Sequence, residues 1–171
     1  MKLLLLITFC IFFNLSVLFS DTSSKWIELL LYDVPGYGIC KATSELNGDN
    51  GVEVIGKYSV MNLLDKDFST AWVEGKQGNG ITESVYIVIP EECKTINIFA
   101  GYGKNSSLYH KNNRPKKIKL SSFIGINPDG YVSETAIIYK ALKFEKDFYI
   151  TLKDTFGIQS FKFPFIISEL E

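Results

Sequence analysis

Histidine is nearly absent from this chain. His110 is the one imidazole in 171 residues, so a histidine metal cluster is excluded and a Ser–His or Cys–His pair has a single candidate base. No Gly-x-Ser-x-Gly run marks a nucleophile elbow. Charge of one sign is also missing: 18 Lys and Arg face 19 Asp and Glu, a net charge of −1, so bulk charge calls for no nucleic-acid partner. Heptads, internal repeats and low-complexity linkers are lacking, and hardly any stretch has helical periodicity. The glycines at 75, 78 and 80 precede no Lys-Ser or Lys-Thr pair and lead into a strand, which excludes a phosphate-cradling loop. Cysteine is scarce, with three in the chain. Cys40 and Cys93 are either a disulfide of an exported protein or two buried thiols.

The chain opens Met1-Lys2 and then carries no charge from Leu3 to Phe19, with Ser20 before Asp21. One basic residue, a short apolar block and a small residue read as a secretory signal peptide over residues 1–20. Asn14 and Ser16 interrupt the block and make it a poor spanning helix. The protein is therefore expected to be secreted or extracytoplasmic, in a periplasm or at a cell surface. Contact with a membrane would come only through the leader, if it stays uncleaved. Loss of the leader also removes Cys10 and Lys2, leaving about 150 residues, the size of one ordinary domain.

The remainder reads as β-structure. A first element over Lys25–Tyr32 ends at Asp33-Val34-Pro35-Gly36, because proline and glycine break strand and helix alike. Glu83–Ile89 is β-branched and aromatic and is closed by Pro90, while Thr95–Ala100 alternates and is closed by Gly101. Lys117-Ile118-Lys119-Leu120 alternates polar and apolar, as a half-buried strand should. Thr135–Tyr139, Asp147–Leu152 and Ile158–Ile167 are three further strands. Regular spacing with turn signals between predicts an all-β, antiparallel jelly-roll β-sandwich over residues 40–171, with 21–39 as a lead-in. Thirteen Phe and nine Tyr suit two inner faces that need large side chains.

Between Tyr58 and Gly75 the sequence crowds Asp65, Asp67, Ser69 and Thr70 just before Trp72. Their side-chain oxygens bond nearby backbone, which predicts a tight loop. It is either a self-satisfied turn or a structural Ca2+ site, since every donor is a hard oxygen. Trp72, directly after the turn and before a strand, reads as a core plug, with stacking on a sugar as its other use.

Asn62-Leu63-Leu64-Asp65-x-Asp67-x-x-Thr70-Ala71-Trp72 resembles the signature loop of the galactose-binding-like β-sandwiches, the discoidin or coagulation-factor C type. Several later motifs narrow it. Trp72-Val73-Glu74-Gly75-x-x-Gly78-x-Gly80-Ile81, Gly101-Tyr102-x-Lys104, Tyr109 and Asn113-Arg114-Pro115-Lys116 together resemble the NADase-type glycan-binding domain, over roughly residues 40 to 171. Ala100 stands where that family tends to have Asn, and Ile81-Thr82-Glu83 lacks its second glycine. The resemblance implies a Ca2+ held by Asp65 and Glu169 carboxylates, by Thr70, and by carbonyls of Asn62, Asp67 and Ser168.

The resemblance also implies a glycan partner. Tyr102, Tyr109 and His110 sit among Gly, Lys, Asn and Ser and read as loop residues, and flat rings beside polar donors are the chemistry that holds sugars. Glu74, Lys104 and Arg114 join them as candidate glycan contacts. Lys104, His110, Lys111, Arg114, Lys116, Lys117 and Lys119 form a basic island, which either meets an acidic glycan or is a solvated face. No enzymatic role is expected. Glu74, Glu83, Glu91 and Glu92 are the glutamates of interest for a glycosidase pair, and nothing in the sequence holds two of them at a fixed separation. The expected function is thus non-catalytic carbohydrate recognition, serving surface adhesion. A protein–protein module or a structural spacer built on the same loops is the alternative.

Overall fold

The computed structural model describes residues 2–9, 26–36, 38–46, 56–128, 132, 136–144 and 146–165. Among these residues nine strands are formed: β1 (Lys2–Phe9), β2 (Ile27–Val34), β3 (Gly38–Ala42), β4 (Ser84–Ile89), β5 (Thr95–Phe99), β6 (Lys117–Ile126), β7 (Ala136–Lys143), β8 (Phe148–Thr151) and β9 (Ile158–Lys162). A 3-10 turn spans Val60–Leu63, and one short helix, α1, spans Ser106–Lys111. The expected all-β, antiparallel architecture is the one observed.

Seven strands run in the order β1-β4-β3-β2-β7-β6-β8, and β1 also pairs with β6, so the sheet curls until it meets itself. A second sheet pairs β5 with β9, Thr95 opposite Lys162 through Phe99 opposite Ile158. The core between it and the large sheet holds Ala100, Ile118, Leu120, Ile150, Leu152, Phe163 and Phe165. The alternation read at 117–120 is the cause: Ile118 and Leu120 are buried while Lys117 and Lys119 are half-exposed. Further along β6 the run Ser121 to Phe123 is buried at every position, as expected of a strand covered on both faces. Inside the curl Leu31, Phe123, Tyr139 and Ala141 form a second cluster. Cys40, Val60, Met61 and Val85 form a third, with half-buried Trp72 packed against it.

The leader reading and the first strand fall on the same residues. Lys2–Phe9 run antiparallel to β4 from Leu3 opposite Ile89, and antiparallel to β6 from Lys2 opposite Gly125. A short apolar block meets the needs of a sheet interior as well as those of a secretory leader. A chain cut after Ser20 would lose the strand that joins β4 to β6.

The two cysteines are not bridged. Cys40 lies fully buried with its thiol 3.4 Å from the Met61 sulfur. Burial, aided by the Glu45 charge, pushes that thiol up to about 12. Cys93 is half-exposed in the turn that follows Pro90. In the native protein at neutral pH, a thiol reagent should therefore modify Cys93 first. Cys40 should react only after denaturant is added; equal rates by mass spectrometry would contradict its burial.

Candidate functional site

The acidic loop builds itself from its own side chains. Ser59 caps the 3-10 turn, its hydroxyl accepting from the Met61 amide at 3.3 Å. Asn62 Nδ2 then donates to the carbonyls of Lys57 and Ala71, at 2.9 and 3.0 Å, and ties the loop's two ends together. Asp65 Oδ1 accepts from the Asp67 amide at 2.8 Å, and Asp67 Oδ1 from the Ser69 amide at 2.8 Å, two successive Asx turns. Thr70 Oγ1 lies 2.6 Å from Asp65 Oδ2 and 2.8 Å from the Asp67 carbonyl. The Ser69 backbone amide and hydroxyl hold the Asp67 carboxyl below its usual range. Trp72 donates its indole N–H to the Ser44 carbonyl at 3.1 Å, so its ring is a wedge between loops, as its position suggested.

Gly103 lets a second loop close on the first. A Cβ there would sit 2.9 Å from Phe68 Cβ and 3.1 Å from the Phe68 carbonyl oxygen, so only glycine permits the approach. Phe68 then stacks on Phe99 at 5.1 Å, and Phe99 meets Phe156 edge-on at 5.4 Å. Phe68 and Phe156 are 46 % and 47 % exposed. These two rings, absent from the sequence reading, form an aromatic ladder open to solvent. They lie 88 positions apart with an ordinary loop composition around each; the one available signal was a large aromatic inside a turn, Phe156 before Gly157 and Phe68 among acids and hydroxyls.

Tyr109 and His110 stand on a helix rather than in a loop. Asn105 caps α1 by accepting from the Leu108 amide at 2.9 Å, but a six-residue helix is too short to leave a periodic pattern. Tyr109 is fully buried, and its ring faces Phe156 edge-on at 5.5 Å. Its hydroxyl lies 3.2 Å from Asp154 Oδ1 and 3.0 Å from the Thr155 carbonyl. It serves the surface from beneath. Arg114 lies over that ring, Cζ 4.3 Å from the centroid. Its Nη1 donates to the Tyr109 and Asn112 carbonyls at 3.0 Å each, and its Nε to Asp154 Oδ1 at 2.7 Å. The guanidinium is thereby committed to the fold, and its hydrogen bonds hold the Asp154 carboxyl below the carboxylate range.

The other expected contacts are dispersed. Tyr102 is half-buried and lines a cleft beside the acidic loop. Lys104 and His110 are exposed. Glu74 is turned onto its own loop, accepting from the Lys76 amide at 2.9 Å, with its side chain against Gly80. Gly101, next to Tyr102, packs against Arg114 and Tyr109, whereas Glu74 keeps to its own loop. The basic island also divides: Lys119 pairs with Asp147 at 3.6 Å, Lys117 lies 4.9 Å from the Tyr149 ring centre, and Lys104 and Lys111 are exposed. Among the glutamates, Glu83 is buried beneath the hydroxyls of Thr43 and Ser44, whereas Glu91 and Glu92 are exposed in a turn. Of the proposed Ca2+ ligands, Ser168 and Glu169 lie outside the described residues. Among the described residues no group of three or more His, Cys, Asp and Glu gathers at one point.

Residues 31–170 match the family model described as the NAD glycohydrolase translocation F5/8 type C domain. The chain belongs to that family. No curated protein and no solved structure matches it. Membership agrees with the antiparallel all-β body and with the resemblance drawn from the Asn62–Trp72 loop. The family description names a translocation domain and not a catalytic one. No helix among the described residues is long and apolar enough to cross a membrane.

In this F5/8 type C domain the Arg114–Asp154 pair should make the loop end acid-sensitive. A carboxyl whose folded value lies below its unfolded one stabilises fully above the unfolded value, about 4 for Asp, and that contribution disappears as pH falls through the folded value. Amide protection in 101–114 and 152–157 should thus fall on acidification below pH ~4 before that of β6 and β7 does. Arg114→Ala should already lack that protection at neutral pH and lose its acid dependence, with Arg114→Lys intermediate because a lysine cannot fork. Equal protection in the wild type and Arg114→Ala would contradict the bracing role.

Proposed function

We propose that this domain is an exported, non-catalytic carbohydrate-binding module that holds glycans on a surface through its loop end. The observation that carries the reading is the aromatic ladder. Half-exposed Phe68 and Phe156 offer flat apolar faces to the C–H faces of sugar rings, while Lys104, His110 and Lys111 stand nearby to meet hydroxyl or acidic groups. Glycan contact thus falls to the two phenylalanines, braced by the Tyr109 ring and the Arg114 guanidinium. Rigid loops keep the ordering cost small, and a weak single site becomes useful through several copies. Engagement of surface glycans is one chemistry by which a translocation domain meets the surface it acts on.

The expected screen is a glycan array with the folded domain. Binding to a defined subset of glycans should fall roughly five- to thirtyfold in Phe156→Ala with secondary structure unchanged, the scale of removing an aromatic contact worth ~1–2 kcal/mol. An array with no hit above background would remove the reading. Hits on polypeptide partners alone would favour the interaction-module alternative.

The described part of the Ca2+ set fits the ion by chemistry. Asp65, Asp67, Thr70 and Asn62 offer only oxygen as ligands, which suits a hard cation. Their hydrogen bonds also close the turn without one. Ser168 and Glu169 would complete the set and tie the end of the chain to this loop, a clamping role with no part in recognition. Added Ca2+ should then raise the melting temperature, EDTA should reverse the gain, and Asp65→Asn should abolish it. An unchanged melting curve would leave the turn metal-free.

A further inference from the structure

The acidic loop borders more than the ladder. Ser69 and Thr70 line a cleft of ≈ 280 Å³, whose remaining lining includes Lys57, Tyr58, Asn62 and Tyr102. Four features of this cleft belong together.

The first is free hydroxyls. Tyr58 and Tyr102 are both half-buried, and neither phenol is among the groups engaged within the described residues, unlike that of Tyr109, which is bound to Asp154 and Thr155. The second is rigidity: the Asn62 amide spans the carbonyls of Lys57 and Ala71, so both walls are fixed relative to each other. With both amide hydrogens spent, Asn62 Oδ1 remains as an acceptor. The third is charge. Asp65 and Asp67 direct their carboxylates into the turn, to the Asp67 and Ser69 amides and the Thr70 and Ser69 hydroxyls, leaving Lys57 as the ionic group in the lining. Its ammonium lies 5.2 Å from the Tyr58 ring centre. The fourth is size, just under the roughly 300–1,000 Å³ of pockets that bury drug-sized ligands, which leaves room for one sugar ring and not for an oligosaccharide.

Two phenols, a fixed amide and a single ammonium line the cleft together, a mixture of donors, acceptors and ring faces suited to a polyhydroxylated ring. We propose that this cleft is a subsite for one terminal sugar residue, with the hydroxyls of Tyr58 and Tyr102 fixing its orientation. The proposal rests on the carbohydrate reading given above and assigns a second, separate part of it. The ladder of Phe68 and Phe156 carries the glycan's inner residues, whereas the cleft selects its end.

Single-hydroxyl deletions test it without disturbing packing. Wild type, Tyr58→Phe, Tyr102→Phe and Phe156→Ala are compared, after checking that melting temperatures agree, against an array-hit glycan and the methyl glycoside of its terminal sugar. Amide chemical-shift titration is the readout. The expected result is that the methyl glycoside shifts amides of residues 57–71 and 102. Each Tyr→Phe change should weaken both ligands roughly three- to tenfold, the scale of one hydrogen bond. Phe156→Ala should weaken the glycan alone. If both Tyr→Phe variants bind the array-hit glycan as wild type does, the cleft plays no part and the ladder reading survives. If no glycan binds the wild type, the carbohydrate reading falls and the subsite with it.

Discussion

Arg114 is the residue on which the loop end depends. Its guanidinium stacks on Tyr109, takes two carbonyls of its own segment and clasps Asp154 across the molecule. One planar group thereby fixes a six-residue helix, which alone would be marginal in water, against the turn after β8. Tyr109 in turn supports Phe99 and Phe156, with ring centres at 6.0 and 5.5 Å. The exposed ladder is rigid because the charge and the buried phenol beneath it are mutually satisfied. A lysine would keep the charge and lose the fork.

The loops meet because small residues and short hydrogen-bonded turns allow it. Gly103 brings the 101–104 segment against Phe68, and Gly75 brings the next loop against the Glu45 carbonyl, where a Cβ would sit 2.5 Å from that oxygen. Glu83 adds a buried anchor under Thr43 and Ser44. The acidic loop therefore has fixed neighbours: the aromatic ladder through Phe68 and a hydroxyl-lined cleft along Ser69 and Thr70. The all-β frame behind these loops holds them on a rigid scaffold that can present their side chains.

Much of this was legible in the chain. The alternation at Lys117–Leu120 and the β-branched run at 84–89 became β6 and β4 because a period of two leaves one face to bury. The Asx turns at Asp65 and Asp67 were likewise visible, since each is closed by atoms within five residues. Lys2–Phe9 shows the limit of composition. Its apolar run is compatible with a leader and with the strand that joins β4 to β6, because both require an uncharged extended or helical segment and neither leaves a distinguishing residue.

The sequence by itself determined what is local: the strands, the turn chemistry, the family motifs and the scarcity of groups able to do catalysis. Only the tertiary structure decided which side chains serve as surface and which as support. Tyr109 and Arg114 look like ligand contacts when read among their polar neighbours, yet Tyr109 is buried and Asp154, forty positions beyond Arg114, engages the guanidinium. Phe68 and Phe156 carry no mark of exposure in the chain and stand half in solvent. Partners separated by that much chain leave no spacing to read, and exposure is a property of what folds over a residue and not of the residue itself.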